Sequence, residues 1–419
     1  MSRSACSGAA LAALLMLVAA CSGSDDAASP SETDPVTTLA TTVEASTEVT
    51  IETTTTIETT TTVPVEEIDI NHLQVIGSHN SYHLIPEPAL FAGIAALSPE
   101  LAAAIEYSHL PLAEQLEDHG IRKFELDVYA DPDGGLFASR AANAVVGLVP
   151  ASGLPELDAP GFKVMHAQDF DYGTTCSTLV ACLGEISDWS AANPNHVPIM
   201  IMIETKEQSV PDAAAAEGLE LTVDLPWAEP IVITAELLGA LDAEIRSVFS
   251  PEQIIEPDDV RGDAATLDEA VTTVGWPTLE ASRGQVLFLL NNSGVTRDMY
   301  VVDTPNLEGR PMFTNAPLGE PDAAFVRFDD PTDPALDEAA LAGYLIRTRT
   351  DEPTVDARNN DTARRDAALA SGAHFLSTDY YLPSGFFGST YVVKLPGDVV
   401  ARCNPVTAPP SCNDAALTE

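Results

Sequence analysis

Four stretches of this chain end an apolar run in side chains that ionise or coordinate. QVIGSHNSYH (Gln74 to His83) passes from Val75 and Ile76 through a glycine to His79 and Asn80. IRKFELDVYA carries Glu125 and Asp127, GFKVMHAQ delivers His166, and HVPIMIMIETKE delivers Glu204 and Lys206. Glu125 and Asp127 alternate on one strand, so they share a face. Buried carboxylates stay ionised only when paired or when they ligate a cation. Glu125, Asp127 and Glu204 with the carboxamide of Asn80 form an all-oxygen donor set that suits Ca2+, and suits Mg2+ less because that ion holds its waters tightly. Structural salt bridges, with Arg122, Lys123 or Lys206 as counter-ions, are the competing reading. His79 and His166 each close an apolar run beside other polar groups. Two histidines in one pocket can act as base and acid, since a pKa near neutrality suits both transfers. His72, His83, His109, His119, His196 and His374 read instead as hydrogen-bonded structural residues.

Basic residues are scarce, which makes those near the carboxylates informative. The chain has only four lysines, and no Lys or Arg falls between Arg3 and Arg122. Lys206 follows Glu204 with one residue between, and Arg347 and Arg349 alternate in YLIRTRT. Two arginines on one face of a late strand can clamp a phosphate bidentately, or form a structural ion pair beneath a site. A cation, two histidines and basic side chains together suit phosphoryl transfer better than acyl or glycosyl chemistry.

Positioning such groups at one end needs several parallel strands. The pattern predicts strands at Leu73–Ser78, Ile121–Val128, Phe162–His166, Val197–Glu204, a weak one near Ile254–Pro257, then Gln285–Leu290, Tyr344–Arg349 and His374–Thr378. Several are nearly continuous apolar runs, as expected of strands buried on both faces. Helix-like stretches lie between them at Leu112–His119, Cys176–Asn193, Ala235–Val248 and Asn360–Ser371. This alternation across residues 68–419 predicts an α/β protein with a single TIM-type (β/α)8 barrel, its site at the C-terminal ends of the strands. The alternative, a doubly wound open sheet, lacks a glycine-rich phosphate loop of either common kind.

Residues 1–20 read as an export signal: Arg3 supplies the positive start, and Ala9 to Ala20 is an apolar run too short to span a bilayer. It ends VAAC, the pattern of a bacterial lipoprotein cleavage site, which implies lipid on Cys21 and an anchored, extracytoplasmic protein rather than a spanning one. The competing reading is plain secretion. Residues 21–67 are Thr, Ser, Glu, Asp and Val with almost no large apolar side chain, and read as a disordered tether. Cys6 and Cys21 aside, the six cysteines leave two close pairs, Cys176/Cys182 and Cys403/Cys412. In an exported chain these read as local disulfides, since no nearby histidine completes a zinc spacing. The net charge of −45 argues against nucleic-acid binding and against attraction to anionic lipid by general surface charge. The chain is expected to be monomeric.

Taken together, GSHNSY, FELDVY, the lone histidine after a short strand, IETKE, RTRTDE and FLSTDYY resemble the calcium-dependent bacterial phosphatidylinositol-specific phospholipases C, from about Leu73 to Tyr381. The resemblance implies that Asn80, Glu125, Asp127 and Glu204 hold Ca2+ against the phosphate and the inositol 2-hydroxyl. It implies that His79 and His166 serve the in-line attack, with Glu125 able to take the base role while ligating. Lys206, Arg347, Arg349, Tyr380 and Tyr381 would contact phosphate or inositol, and the products would be diacylglycerol and an inositol phosphate. The membrane would be reached through the N-terminal lipid anchor. A glycerophosphodiester phosphodiesterase on the same barrel would more typically follow its first histidine with Arg, where this chain has Asn80. A non-catalytic surface lipoprotein should have lost part of the constellation, and no member is missing.

Overall fold

The computed structural model describes residues 67–216, 224–352 and 354–419. The export signal expected over residues 1–20, Cys21 and all but the last residue of the tether expected over 21–67 lie outside the described residues. Among the described residues ten strands form: β1 Leu73–Ser78, β2 Lys123–Tyr129, β3 Lys163–Val164, β4 Ile199–Lys206, β5 Val286–Leu290, β6 Met312–Thr314, β7 Phe325–Arg327, β8 Leu345–Arg349, β9 Phe375–Thr378 and β10 Ala401–Cys403. Eight are parallel neighbours in the order β6-β5-β4-β2-β1-β9-β8-β7. A parallel bridge from Asn315, just past β6, to Phe325 of β7 joins the two ends, so the sheet closes as a (β/α)8 barrel.

The strands form because their side chains are buried on both faces. β1, β2, β5, β8 and β9 are buried at every position. Burying each large aliphatic side chain contributes about 1.5–3 kcal/mol. In β2, Phe124, Leu126 and Val128 belong to the apolar core, while Lys123 and Glu125 reach across the barrel interior to Ser377 of β9 and Arg347 of β8. The lower barrel is apolar, with Leu73, Val75, Leu287, Leu345 and Phe375 lining a small cavity there. Helices surround the barrel, and the two longest among the described residues carry threonine N-caps: Thr178 accepts from Ala181 N at the start of Leu179–Ala192, and Thr234 from Leu237 N before Ala235–Val248.

The architecture is the one expected, but two of its strands are not. Of Phe162–His166 only Lys163–Val164 is extended, and it pairs antiparallel with Val128 and Tyr129 of β2, outside the barrel. Because that pairing sits at the top of β2, His166 still arrives at the expected end. Ile254–Pro257 is not a strand; Ile254 makes one isolated bridge to Val286. The missing barrel strands are β6 and β7, three residues each, joined by residues 315–324 without an intervening helix. Strands so short leave no alternation to detect. The cysteine pairs are disulfides: Cys176–Cys182 ties the segment before the Leu179–Ala192 helix to its first turn, and Cys403–Cys412 ties the end of β10 to the C-terminal segment. Among the described residues no helix is long and apolar enough to cross a membrane.

Candidate active site

The register places the carboxylates. Asp127 of β2 and Glu204 of β4 are direct partners across the ladder, and Glu125, two residues earlier, pairs with Met202. All lie in the upper barrel. Glu125 Oε2 receives Lys123 Nζ at 2.5 Å and Arg347 Nη2 at 3.1 Å. Lys206 Nζ lies 2.5 Å from Glu204 Oε1 and 3.3 Å from Asp127 Oδ2. Burial pushes the Asp127 carboxyl up to about 6, with Lys206 opposing and Glu204 adding to the rise. Asn80 stands at the exit of β1 with φ of 41°, and its Nδ2 donates to Tyr107 Oη at 3.1 Å, which leaves the carboxamide oxygen as its donor toward a cation.

These residues fit Ca2+. The donors are all oxygen, as a hard cation requires. The Lys206 ammonium lies between the carboxylates of Asp127 and Glu204, a stand-in that marks where positive charge is demanded. Asn80, Asp127 and Glu204, with Glu125 beside them, would hold the ion.

The histidines each sense one carboxylate of β2. The His79 N–H donates to Thr378 O at 3.0 Å, tying the end of β1 to β9, and its Nδ1 lies 3.0 Å from Asp379 Oδ1. Its Nε2 is 3.8 Å from Glu125 Oε1. Burial and then Arg349 pull its pKa below the ordinary value, against the opposing charges of Asp379 and Glu125. His166 Nδ1 lies 2.7 Å from Asp171 Oδ2. Burial works against its charged form, but the hydrogen bond and charge of Asp171, with Asp127, outweigh burial and raise the His166 pKa. His166, Glu204 and Lys206 share the wall of a cavity of about 500 Å3 with Tyr129, Gln168 and Ser209.

The structure assembles most of the expected set and draws some of it into ion pairs. Arg347 is buried between Glu125 and Asp329. Arg349 is buried with Nη2 at 3.1 Å from Asp379 and 3.8 Å from Asp351. The Nε atoms of both arginines have no hydrogen-bond partner among the described residues. Asp351, against Asp379, is pushed up to about 7 by burial and then by that neighbour's charge. Tyr380 is buried against Phe387 and Tyr391. Tyr381 stacks on His109 and accepts from Leu110 N, so it braces the loop before Leu112–His119 and is not brought to the carboxylates. Arg122 is remote as well: it binds Glu419 and lies over Trp189.

Sequence reasoning missed three carboxylate or histidine partners. Asp379, in STDYY, orients His79. Asp171 follows His166 by five residues in HAQDFD, a returning carboxylate that was visible as a motif. His83, expected to be structural, is the second partner of Asp171, with Nε2 2.9 Å from Oδ1. Donor atoms of His83, His166 and Asp171 converge within 4.8 Å, the group among the described residues closest to a metal-ligand spacing. Each contact there is already a hydrogen bond.

The model of the family described as phosphoinositide phospholipase C, Ca2+-dependent, matches residues 68–405. Among solved structures, a calcium-dependent phosphoinositol-specific phospholipase C from the Gram-negative bacterium Pseudomonas sp. is 16% identical, with a TM-score of 0.46, over 80% of this chain and 96% of that one. The Ca2+-dependent phosphatidylinositol-specific phospholipase C of Streptomyces antibioticus is 19% identical, with a TM-score of 0.45, over 75% and 95%. The phosphatidylinositol-specific phospholipase C of Listeria monocytogenes is 14% identical, with a TM-score of 0.37, over 75% and 90%. No curated protein matches the chain.

Proposed function

The chain belongs to the Ca2+-dependent phosphoinositide phospholipase C family, and from that premise we propose that it cleaves phosphatidylinositol-type lipids by attack of the inositol 2-hydroxyl on phosphorus. The products are diacylglycerol and an inositol phosphate. The observation that carries the reading is the pairing of Asp127 with Glu204 at the top of the barrel, with Lys206 between their carboxylates and a carboxylate-bound histidine on either strand-end loop.

His79 is the base. Asp379 holds its Nδ1, so Nε2 is the nitrogen that takes the proton of the attacking hydroxyl. His166 is the acid: its environment favours the protonated ring, and its Nε2 gives a proton to the diacylglycerol oxygen as the P–O bond breaks. Environments that push two titratable groups in opposite directions assign acid and base in this way. The buried Arg349 and the Nε atoms of Arg347 and Arg349, which find no hydrogen-bond partner among the described residues, support a role in binding phosphate or inositol, a role we extend to Lys206 and Tyr380. Asn80, Glu125, Asp127 and Glu204 would hold Ca2+, which would supply Lewis-acid polarisation of the phosphoryl group and a lowered pKa of the attacking hydroxyl.

The two disulfides support an extracytoplasmic location. With Cys21 lipidated and residues 21–67 as a tether, the barrel would stand off the membrane. A phosphatidylinositol analogue with its 2-hydroxyl methylated tests the chemistry. It should resist cleavage while the parent lipid yields cyclic inositol phosphate by phosphorus NMR; equal cleavage of both would exclude internal attack.

A further inference from the structure

His83 sits in the loop that leaves β1 and is fully buried. Its Nδ1 lies 3.1 Å from the carbonyl oxygen of Tyr107, and its Nε2 2.9 Å from Asp171 Oδ1. A carbonyl oxygen only accepts, so Nδ1 carries hydrogen; the Asp171 carboxylate, held strongly acidic by the two histidines against its burial, is the acceptor at Nε2. The other oxygen of the same carboxylate takes His166 Nδ1 at 2.7 Å. One carboxylate therefore bridges two rings that lie edge-to-face, 5.9 Å apart.

The backbone is built to hold that bridge. Ala167 and Asp171 exchange both N–H···O bonds, closing a turn in which Asp169 takes φ of 71°, and the turn folds Asp171 back beneath His166. His83 bridges to Thr174 just beyond it, and His83 O accepts from His109 N. A lone carboxylate beside His166 could rotate about χ2 and present either oxygen at a range of angles. With Oδ1 pinned by His83, the plane of Asp171 is fixed and Oδ2 has one direction. His166 must then turn Nδ1–H toward it, and Nε2 faces the other way, on the ring that borders the cavity shared with Glu204 and Lys206.

We propose that His83 is a positioning residue for the phosphodiester cleavage: by holding one oxygen of Asp171 it fixes the other on His166 Nδ1, and so sets the tautomer and aim of the His166 ring. The inference rests on the assignment of His166 to the reaction. The remaining groups facing His166 are Asp127, Lys206 and the hydroxyl of Tyr129, which donates to the His166 carbonyl.

The test is nitrogen-15 NMR of the histidine rings in the full chain, with the His166 signals assigned by their absence in His166→Gln. In the wild type the neutral His166 ring should be the Nδ1–H tautomer, the opposite of what free histidine prefers. In His83→Leu it should become a mixture, with kcat on a soluble inositol phosphodiester falling by about 10- to 100-fold, part of the ~10²–10⁴ that a placed acid supplies, and KM nearly constant. His83→Gln, whose amide N–H still reaches a carboxylate, should recover most of kcat and the tautomer. If His83→Leu does not fold, His83→Asn replaces it, being too short to reach Asp171. A wild-type His166 with hydrogen on Nε2 overturns the proposal, as does an unchanged tautomer and kcat in the Leu or Asn variant. A wild type inactive on every inositol phosphodiester, with the expected tautomer, counts against the functional reading instead.

Discussion

Asp127 and Glu204 stand opposite one another across β2 and β4, and a single ammonium, that of Lys206, answers both carboxylates. Two acids on neighbouring strands that share one lysine leave room for a divalent cation. Asp127→Asn and Glu204→Gln should therefore each weaken Ca2+ binding by at least about 10- to 100-fold, the range seen even for residues that only support ligands. Calorimetric titration reads this directly. A Ca2+-dependent rise in Tm, about 2.7 kcal/mol of stability at a hundredfold excess over Kd, should vanish with it. Lys206→Met should bind Ca2+ no more weakly than the wild type, since a competing charge is gone, yet lose activity. Unchanged affinity in both carboxylate variants would remove these residues from the ion site.

The raised pKa of His166 sets an alkaline limit. Its folded value lies above the unfolded 6.5, so the stability it contributes is fully present below that pH and is lost as pH rises through the folded pKa. Activity follows the same limb if the protonated ring is the acid. Asp171→Asn removes the hydrogen-bonded charge responsible, so the alkaline limb of kcat/KM at saturating Ca2+ should move to lower pH. A limb that stays in place would mean another group titrates there.

Asp379 does for His79 what Asp171 does for His166, with Arg349 on its second oxygen. Asp379→Asn should lower kcat by roughly 10²-fold or more, within the range for a misplaced base, while KM changes little. A matching rise in KM with kcat intact would instead assign Asp379 to substrate binding through Arg349.

Packing makes a prediction independent of chemistry. A Cβ on Gly77 would fall 2.5 Å from Cβ of Lys123, the buried lysine beneath Glu125. Gly77→Ala should cost about 1–3 kcal/mol by overpacking and disturb Glu125 as well. Gly184, inside the Leu179–Ala192 helix with open space around it, should tolerate Ala with a gain of roughly 0.5–1 kcal/mol. Urea midpoints compare the two. A harmless Gly77→Ala would mean that Lys123 is not packed against β1.

Much of this was legible in the chain. β4 and β5 announced themselves as continuous apolar runs, and β1, β2, β8 and β9 as shorter apolar stretches carrying polar groups, and the alternation of Glu125 with Asp127 put both on the interior face. β6 and β7 did not, because three-residue strands carry no periodicity. Lys163–Val164 looked like a barrel strand because an apolar run ending in histidine does not say whether its neighbour is parallel or antiparallel. The site was read from side chains that end strands, so the acids and bases were found. Their supports were not: Asp379 follows β9 and meets His79 only because β9 neighbours β1, His83 reaches Asp171 from the loop after β1, and Asp171 returns to His166 through a local turn with no regular period.

The measurement that bears most directly on the account is release of water-soluble inositol phosphate from phosphatidylinositol vesicles, in buffered millimolar Ca2+ and then with EGTA, for the wild type, His79→Ala and His166→Ala. The account predicts release by the wild type with Ca2+, none after chelation, and a loss of about 10²–10⁴-fold in each variant. Release that survives EGTA, or that persists undiminished in both histidine variants, would contradict it.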